Sequence, residues 1–215
     1  MITYERRTTA DSVELRGQDG SHAVLNGYAS MFGSYSRNLG GFVERIDPKA
    51  FTKTIKEQDV RSLFNHDPSM MLGRIGAGTL RLSVDERGLA YENDLPNTTL
   101  GRDVAELISR GDIMGSSFGF RAVADSWGLT EDKYPLRTVT ECSLRDIGPC
   151  TFPAYEATEG ALSTLAARAE LDIVEVRSLA DEDHLYQVIE HLQSIDDIGR
   201  ETPTELVTVR RRRVF

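Results

Sequence analysis

From Val24 to about Ala154 the chain alternates short apolar runs with glycine, asparagine, aspartate and proline, and this pattern predicts β-strands joined by turns. Within it, residues 80–84 and 89–95 predict a hairpin in which Gly88 supplies the positive φ of the turn. The predicted strands span residues 23–32, 61–65, 78–85, 88–95, 116–125, 136–144 and 147–152.

Two helices are predicted between these strands. The first spans residues 48–58, because Asp47 is a good N-cap and Pro48 suits the first helical position. The second spans residues 100–110; two threonines precede it, one of which caps it, and a glycine follows and ends it.

The character of the sequence changes after Ala154. Residues 159–169 are rich in alanine and leucine and predict a helix, whereas residues 171–176 predict a strand. Residues 181–198 predict an acidic amphipathic helix, because apolar residues recur there at three- and four-residue steps. The α+β fold class follows from these elements, with strands in the majority.

These changes divide the chain into a compact β-rich domain, residues 1–165, and a C-terminal helical and tail region, residues 166–215. The basic run from Arg210 to Arg213 is most simply a solvated tail, although a docking tail or a self-cleavage region stays open.

Composition narrows the classes of function. The formal net charge of -9 argues against a dedicated nucleic-acid binder, whose affinity comes mostly from basic groups. Cys142 and Cys150 lack the spacing of a metal site and predict reduced, buried thiols, so we expect neither a metal nor a cofactor. No apolar stretch reaches the roughly 20 residues that span a bilayer, and the N-terminus lacks the apolar core of a secretory signal. We therefore expect a cytoplasmic protein without a membrane partner.

Among the histidines, His66 has the position that a general base requires. It ends an apolar strand and precedes the turn Asp67-Pro68, so rigid backbone can hold it while its ring faces a cleft. His22 lies in a polar turn, and His184 and His191 lie on the acidic helix. A hydrogen-bonded histidine in a loop is the alternative for His66.

The start of a predicted strand carries two serines between small residues. Ser116 and Ser117 lie between Gly115 and Gly119, which permit close approach of a substrate carbonyl. A strand that begins with a tight turn would have the same composition, and the segment is not a GxSxG elbow.

Two acids follow on a later strand. Glu141 and Asp146 are five residues apart, so they would face opposite sides of a regular strand. Either one could orient a histidine as the third member of a triad. Solvated strand acids are the alternative interpretation of both.

Taken in order, these segments resemble the phage prohead, or capsid maturation, serine protease family over roughly residues 24–160. The matching motifs are Gly27-Tyr28-Ala29-Ser30-Met31-Phe32, Glu44-Arg45-Ile46-Asp47-Pro48-Lys49-Ala50-Phe51, Phe64-Asn65-His66-Asp67-Pro68, Leu72-Gly73-Arg74, Gly88-Leu89, Leu107-Ile108-Ser109-Arg110-Gly111-Asp112, Ser117-Phe118-Gly119-Phe120, Thr140-Glu141-Cys142-Ser143-Leu144-Arg145-Asp146-Ile147 and Thr151-Phe152-Pro153-Ala154-Tyr155.

The resemblance implies a herpesvirus protease-like fold, a mostly antiparallel β-barrel surrounded by helices. It places the family's histidine on His66 and its serine on Ser117 rather than Ser116. The third member falls on Glu141, by its distance after the serine, with Asp146 as the alternative. The family usually has glutamate at the position of Asp146, so the aspartate is a departure. The herpesvirus enzymes also use an arginine-bearing loop at the oxyanion; this chain has Gly148-Pro149 there, so that role does not carry over.

By resemblance, the protein is a serine endopeptidase that cleaves the scaffold or delta segment of the major capsid protein, and itself, inside the assembling prohead in the host cytoplasm. The helix at residues 181–198 could bind capsid protein, scaffold or a second protease subunit, or pack on its own domain. The alternative function is a catalytically inactive capsid assembly or scaffold protein on the same barrel.

Overall fold

Two β-sheets form the body of the protein in the computed structural model, which describes residues 4–10, 13–17, 23–152 and 159–201. His22, the motif at residues 153–155 and the arginine run at residues 210–213 lie outside these ranges. The strands are β1 (Glu5–Thr9), β2 (Val13–Arg16), β3 (Val24–Met31), β4 (Val43–Ile46), β5 (Arg61–Leu63), β6 (Met71–Arg74), β7 (Leu80–Val84), β8 (Gly88–Asp94), β9 (Gly115–Leu129) and β10 (Pro135–Cys150). The helices are α1 (Thr54–Glu57), α2 (Thr99–Ser109), α3 (Glu159–Ala169), α4 (Ile173–Asp181) and α5 (Tyr186–Glu201).

The long antiparallel hairpin of β9 and β10 is the centre of the larger sheet. Its order is β1-β9-β10-β5-β6, and β4 also pairs with β10. The predicted strands at residues 136–144 and 147–152 form parts of one strand, β10, because its pairing with β9 continues through three register shifts. β4 and β5 both run parallel to β10, so the sheet is mixed.

The smaller sheet has the order β2-β3-β8-β7 and contains the predicted hairpin of β7 and β8. The predicted positive φ of Gly88 is wrong, because this glycine does not adopt one. Instead, a Cβ on Gly88 would stand 2.0 Å from the carbonyl oxygen of Ser30 on β3. The glycine is needed where two neighbouring strands approach closely.

The predicted α+β class with a majority of strands is confirmed. The predicted closed barrel is not, because the described strands form two sheets and neither closes on itself. The predicted likeness to the herpesvirus proteases is not confirmed either.

Helix boundaries follow the predicted caps more closely than the predicted lengths. The helix predicted at residues 48–58 is a 3-10 turn, Pro48–Phe51, followed by the short α1. Asp47 caps the turn by accepting from the Lys49 N–H at 2.8 Å. Thr98 caps α2 by accepting from the Gly101 N–H at 3.2 Å, and Gly111 follows this helix with a φ of +79°.

The C-terminal helices form a second core. α3 has the predicted bounds, but the strand predicted at residues 171–176 is wrong: Asp172 accepts from the Val174 N–H at 2.7 Å and caps α4. The buried residues of this core are Leu39, Phe42, Ala161, Leu162, Leu165, Ala166, Ala169, Val176, Ala180, Leu185, Val188 and Ile189. The apolar face of α5 thus packs against its own chain. The division into regions 1–165 and 166–215 stays a prediction.

A buried ion network ties β1 and β4 to the central hairpin. The Arg137 guanidinium on β10 donates to the carboxylates of Glu5 at 2.6 Å and Glu44 at 2.9 Å. Its Nε donates to Asp125 at 2.8 Å, and Arg7 joins the same cluster through Glu44 at 2.8 Å. Burial acts to lower the pKa of Arg137, but the surrounding carboxylates outweigh it and raise that pKa.

No helix in the described ranges is long and apolar enough to cross a membrane.

Candidate active site

His66 ends a tight turn that follows β5. The turn Phe64–His66 is a 3-10 element in which Asn65 and His66 both have left-handed backbone, with φ of 54° and 59°. Because β5 runs parallel to β10, with Arg61 opposite Asp146, the turn brings the imidazole over the β10 strand. Sequence position alone had predicted a histidine held by rigid backbone, and the structure supplies that backbone.

The imidazole of His66 contacts the carboxylate of Asp146 through Nδ1 and Oδ1. Both side chains are nearly buried, at 8% and 6% exposed, so little water competes for the contact. A carboxylate accepts only, so Nδ1 carries the proton and Nε2 is left as an acceptor.

Ser117 lies on the other side of the imidazole, with Oγ 2.7 Å from His66 Nε2. The register of β9 and β10 explains the alignment: Asp146 lies opposite Gly119 and Gly148 lies opposite Ser117. Opposed residues and residues two apart share a face of a sheet. Ser117 and Asp146 therefore project to the same face, where His66 bridges them.

The Ser117 hydroxyl has a second acceptor. Oγ lies 2.9 Å from the carbonyl oxygen of Arg7, on the neighbouring strand β1. One hydroxyl proton can satisfy either the imidazole or the carbonyl, and only the first arrangement prepares Oγ for proton transfer. Nothing in the sequence pointed to Arg7, because the contact is made by its backbone.

Ser116, the alternative nucleophile, has a different environment. Its Oγ lies 2.6 Å from the Tyr91 hydroxyl, and the serine is fully buried in the core. Burial raises the pKa of the Tyr91 hydroxyl, which therefore stays protonated. Neighbouring strand residues face opposite sides, so only Ser117 reaches His66.

Glu141 does not reach His66, which corrects the expectation that it is the third member of the group. Its carboxylate is 38% exposed and lies 3.6 Å from Lys53 Nζ. Asp146, the alternative acid, has the place beside the imidazole. The strand β10 is irregular between Val139 and Glu141 and again between Leu144 and Asp146, so counting residues along the sequence could not rank the acids.

Asn65 is a site residue to which sequence reasoning assigned no role. Its side chain accepts from the Thr151 N–H at 2.8 Å and donates to the Thr151 hydroxyl at 3.0 Å. The available signal was its position directly before His66, where asparagine tolerates left-handed backbone better than most residues.

The two thiols are not candidates for the nucleophile. Burial raises the pKa of Cys142 to about 12 and also raises the pKa of Cys150. Thiols with such pKa values stay protonated at neutral pH and react poorly. No group of three or more histidine, cysteine, aspartate or glutamate side chains in the described part of the chain could hold a metal ion.

Arranged in this way, a carboxylate, an imidazole and a hydroxyl can carry out nucleophilic acyl transfer. The imidazole can take the Ser117 proton through Nε2, while Asp146 fixes its tautomer and stabilises the positive charge that develops.

The match to a protein family agrees with this chemistry. A family model described as Caudovirus prohead serine protease matches residues 10–171. Among solved structures, the chain is similar to the capsid assembly protease of bacteriophage T4, gp21, at 14% sequence identity and a TM-score of 0.47. That similarity covers 70% of this chain and 98% of the T4 chain. No curated protein matches the sequence significantly.

Proposed function

Because the chain belongs to the Caudovirus prohead serine protease family, we propose that it is a serine endopeptidase that cleaves the scaffold or delta segment of the major capsid protein. The family is one of phage capsid maturation proteases, which act inside the assembling capsid in the host cell. The enzyme also cleaves itself during maturation in this proposal.

One observation carries the proposal for this particular chain: His66 contacts both Asp146 and the Ser117 hydroxyl. A catalytically inactive relative that kept only the fold would have no reason to keep three groups in this order. The catalytic residues are therefore Ser117, His66 and Asp146, and Glu141 has no part in the reaction.

The proposed reaction begins when His66 Nε2 takes the proton from Ser117 Oγ. The oxygen attacks the peptide carbonyl carbon, and the imidazolium then gives its proton to the leaving amine as the C–N bond breaks. His66 next takes a proton from water, whose hydroxide attacks the acyl-enzyme ester. The imidazolium returns a proton to Ser117 Oγ, and the acid product leaves. Asp146 holds the ring throughout.

A fluorophosphonate probe tests the proposal directly, because it phosphonylates only an activated serine. We expect stoichiometric labelling that peptide mapping places on Ser117, and loss of labelling in Ser117→Ala and His66→Ala. A folded wild-type protein that takes up no probe would favour the inactive assembly protein.

Co-expression with the major capsid protein tests the substrate. We expect shortened capsid protein with the wild type and full-length capsid protein with folded Ser117→Ala. Mass spectrometry of the protease in the same cells tests self-cleavage: an active enzyme that retains its full mass while the capsid protein is shortened would contradict that part.

A further inference from the structure

Asn65 and His66 form a pair of consecutive left-handed residues, with φ of 54° and 59°. Side chains other than glycine enter this region rarely, and a pair in succession persists only where the surroundings hold it. The backbone of the turn is closed by the Asp67 N–H, which donates to the Phe64 carbonyl at 3.1 Å, and by the Phe64 N–H, which donates to the Met70 carbonyl at 3.0 Å. These bonds close the loop but do not attach it to the rest of the site.

Besides the contacts of His66 itself, the Asn65 side chain attaches the turn to the end of β10. Its Oδ1 accepts from the Thr151 N–H at 2.8 Å, and its Nδ2 donates to Thr151 Oγ1 at 3.0 Å. The two contacts fix the amide orientation, because a reversed amide would point its NH2 at the Thr151 N–H. Thr151 follows the last residue of β10, the strand that carries Asp146. The pair therefore joins the histidine-bearing turn to the acid-bearing strand.

The location of the Asn65–Thr151 pair indicates that it affects the position of His66 more than the stability of the protein. Both Asn65 and Thr151 are exposed to solvent, where a hydrogen bond contributes little to the free energy of unfolding. Both also lie outside the contact chain of Ser117, His66 and Asp146. This hydrogen bond is exposed to solvent and joins residues that are 86 positions apart in the sequence. Because Asn65 directly precedes His66, its main effect is on the position of the imidazole.

We propose that the Asn65–Thr151 pair positions His66 between Asp146 and Ser117, and that Asn65 is thus a positioning residue for the reaction. The inference rests on the proposed function of the site. Without the pair, the turn keeps its backbone bonds but the imidazole loses its fixed distance to both partners. A displacement of about 1 Å at a reacting group can cost about a hundredfold in rate.

The deciding variant is Asn65→Gly, because glycine accepts the left-handed backbone and removes only the side-chain contacts. We expect the maximal rate of fluorophosphonate inactivation to fall between tenfold and a hundredfold, with the half-saturating probe concentration unchanged within about twofold. Asn38→Gly is the matched control, since Asn38 is also exposed and its Oδ1 accepts from the Gly40 and Gly41 N–H groups. It should leave both constants unchanged.

Two substitutions at Thr151 test the partner. Thr151→Ser keeps the N–H and the hydroxyl and should keep the wild-type rate. Thr151→Val keeps the N–H but removes the hydroxyl, and should lower the maximal rate by an amount that does not add to that of Asn65→Gly in the double variant.

A proton NMR spectrum supplies a readout that does not need activity. The Nδ1 proton shared by His66 and Asp146 should give a strongly downfield resonance in the wild type, and Asn65→Gly should shift it upfield or broaden it. The proposal is overturned if folded Asn65→Gly keeps the wild-type rate and resonance, whatever its melting temperature. Ser117→Ala separates the two failures: persistent labelling in that variant would instead overturn the proposed function.

Discussion

Gly119 on β9 lies directly opposite Asp146 on β10, and the missing side chain leaves room for the carboxylate. A Cβ on Gly119 would stand 3.1 Å from Asp146 Oδ2 and 3.2 Å from Oδ1. That separation is tighter than van der Waals contact allows without movement. The glycine two residues after Ser117 therefore determines where the acid can stand.

Gly119→Ala should displace the Asp146 carboxylate by a few tenths of an ångström and slow the reaction. We expect fluorophosphonate labelling about tenfold slower than in the wild type, with folding retained. Gly128→Ala is the control on the same strand, because among the described residues no atom beyond its chain neighbours lies within 4 Å of the Cβ it would add. Equal labelling rates for the two variants would contradict the prediction, because they would show that a Cβ on Gly119 does not disturb the Asp146 carboxylate.

Asp146→Asn should remove most of the activity, and Glu141→Gln should keep it. An amide beside Nδ1 favours the wrong imidazole tautomer and cannot stabilise the imidazolium, so we expect a loss of about 10⁴-fold in kcat. Glu141 is bonded only loosely, to Lys53 at 3.6 Å, so its amide variant should stay within about twofold. Capsid cleavage or probe labelling measures both. A comparable loss of activity in Glu141→Gln would instead support Glu141, the acid first expected from the sequence, as the third member of the triad.

Ser116→Ala should weaken the fold while leaving the probe reaction intact. It removes the Ser116 hydrogen-bond partner of the buried Tyr91 hydroxyl, which lowers the free energy of unfolding by about 1–3 kcal/mol. Urea denaturation measures the loss. The double variant with Tyr91→Phe removes both partners and should recover much of it. Loss of labelling in folded Ser116→Ala would mean that this serine takes part in the reaction.

Arg137→Met should be among the more destabilising changes to a charged residue. It removes the buried counterion that Glu5, Glu44 and Asp125 share. Arg7 still pairs with both glutamates and Arg168 with Asp125, so we expect a loss of about 3 kcal/mol, the lower end for a broken buried ion pair. Arg110→Met removes a mostly exposed pair with Asp112 and should cost less than about 1 kcal/mol. Similar midpoints of urea unfolding for the two variants would contradict a buried network.

The thiol of Cys142 should make the protein less stable at alkaline pH. Its pKa rises from 9.0 to about 12 on folding, because burial disfavours the thiolate. The unfolded thiol thus ionises first, so stability is full below pH 9 and falls as pH rises towards 12. The slope from this group approaches about 1.4 kcal/mol per pH unit. Cys142→Ala should show a shallower fall in urea denaturation at pH 8, 9 and 10; parallel curves would refute the assignment.

The sequence-based predictions are confirmed for structural elements that depend on interactions between neighbouring residues. The caps Asp47 and Thr98, the hairpin of β7 and β8 and the bounds of α3 all follow from a few neighbouring residues. The short strand β1 was not predicted, because all five residues of its sequence, Glu5–Thr9, are polar or charged. Glu5 and Arg7 are buried there because they pair with each other and with Glu44 on β4 and Arg137 on β10, and the last two are distant in sequence.

The candidate active site was likewise predictable only in part from the sequence. The sequence by itself determined the imidazole at the end of a core strand, the serine in a segment of small residues, and an acid to follow on a later strand. The resemblance of its motifs also places the nucleophile on Ser117 rather than Ser116, and only the tertiary structure decided which acid meets His66. The reason is physical: strand pleat and register determine the face on which a side chain emerges, and the register shifts of β10 around Glu141 and Asp146 prevent that face from being counted along the sequence.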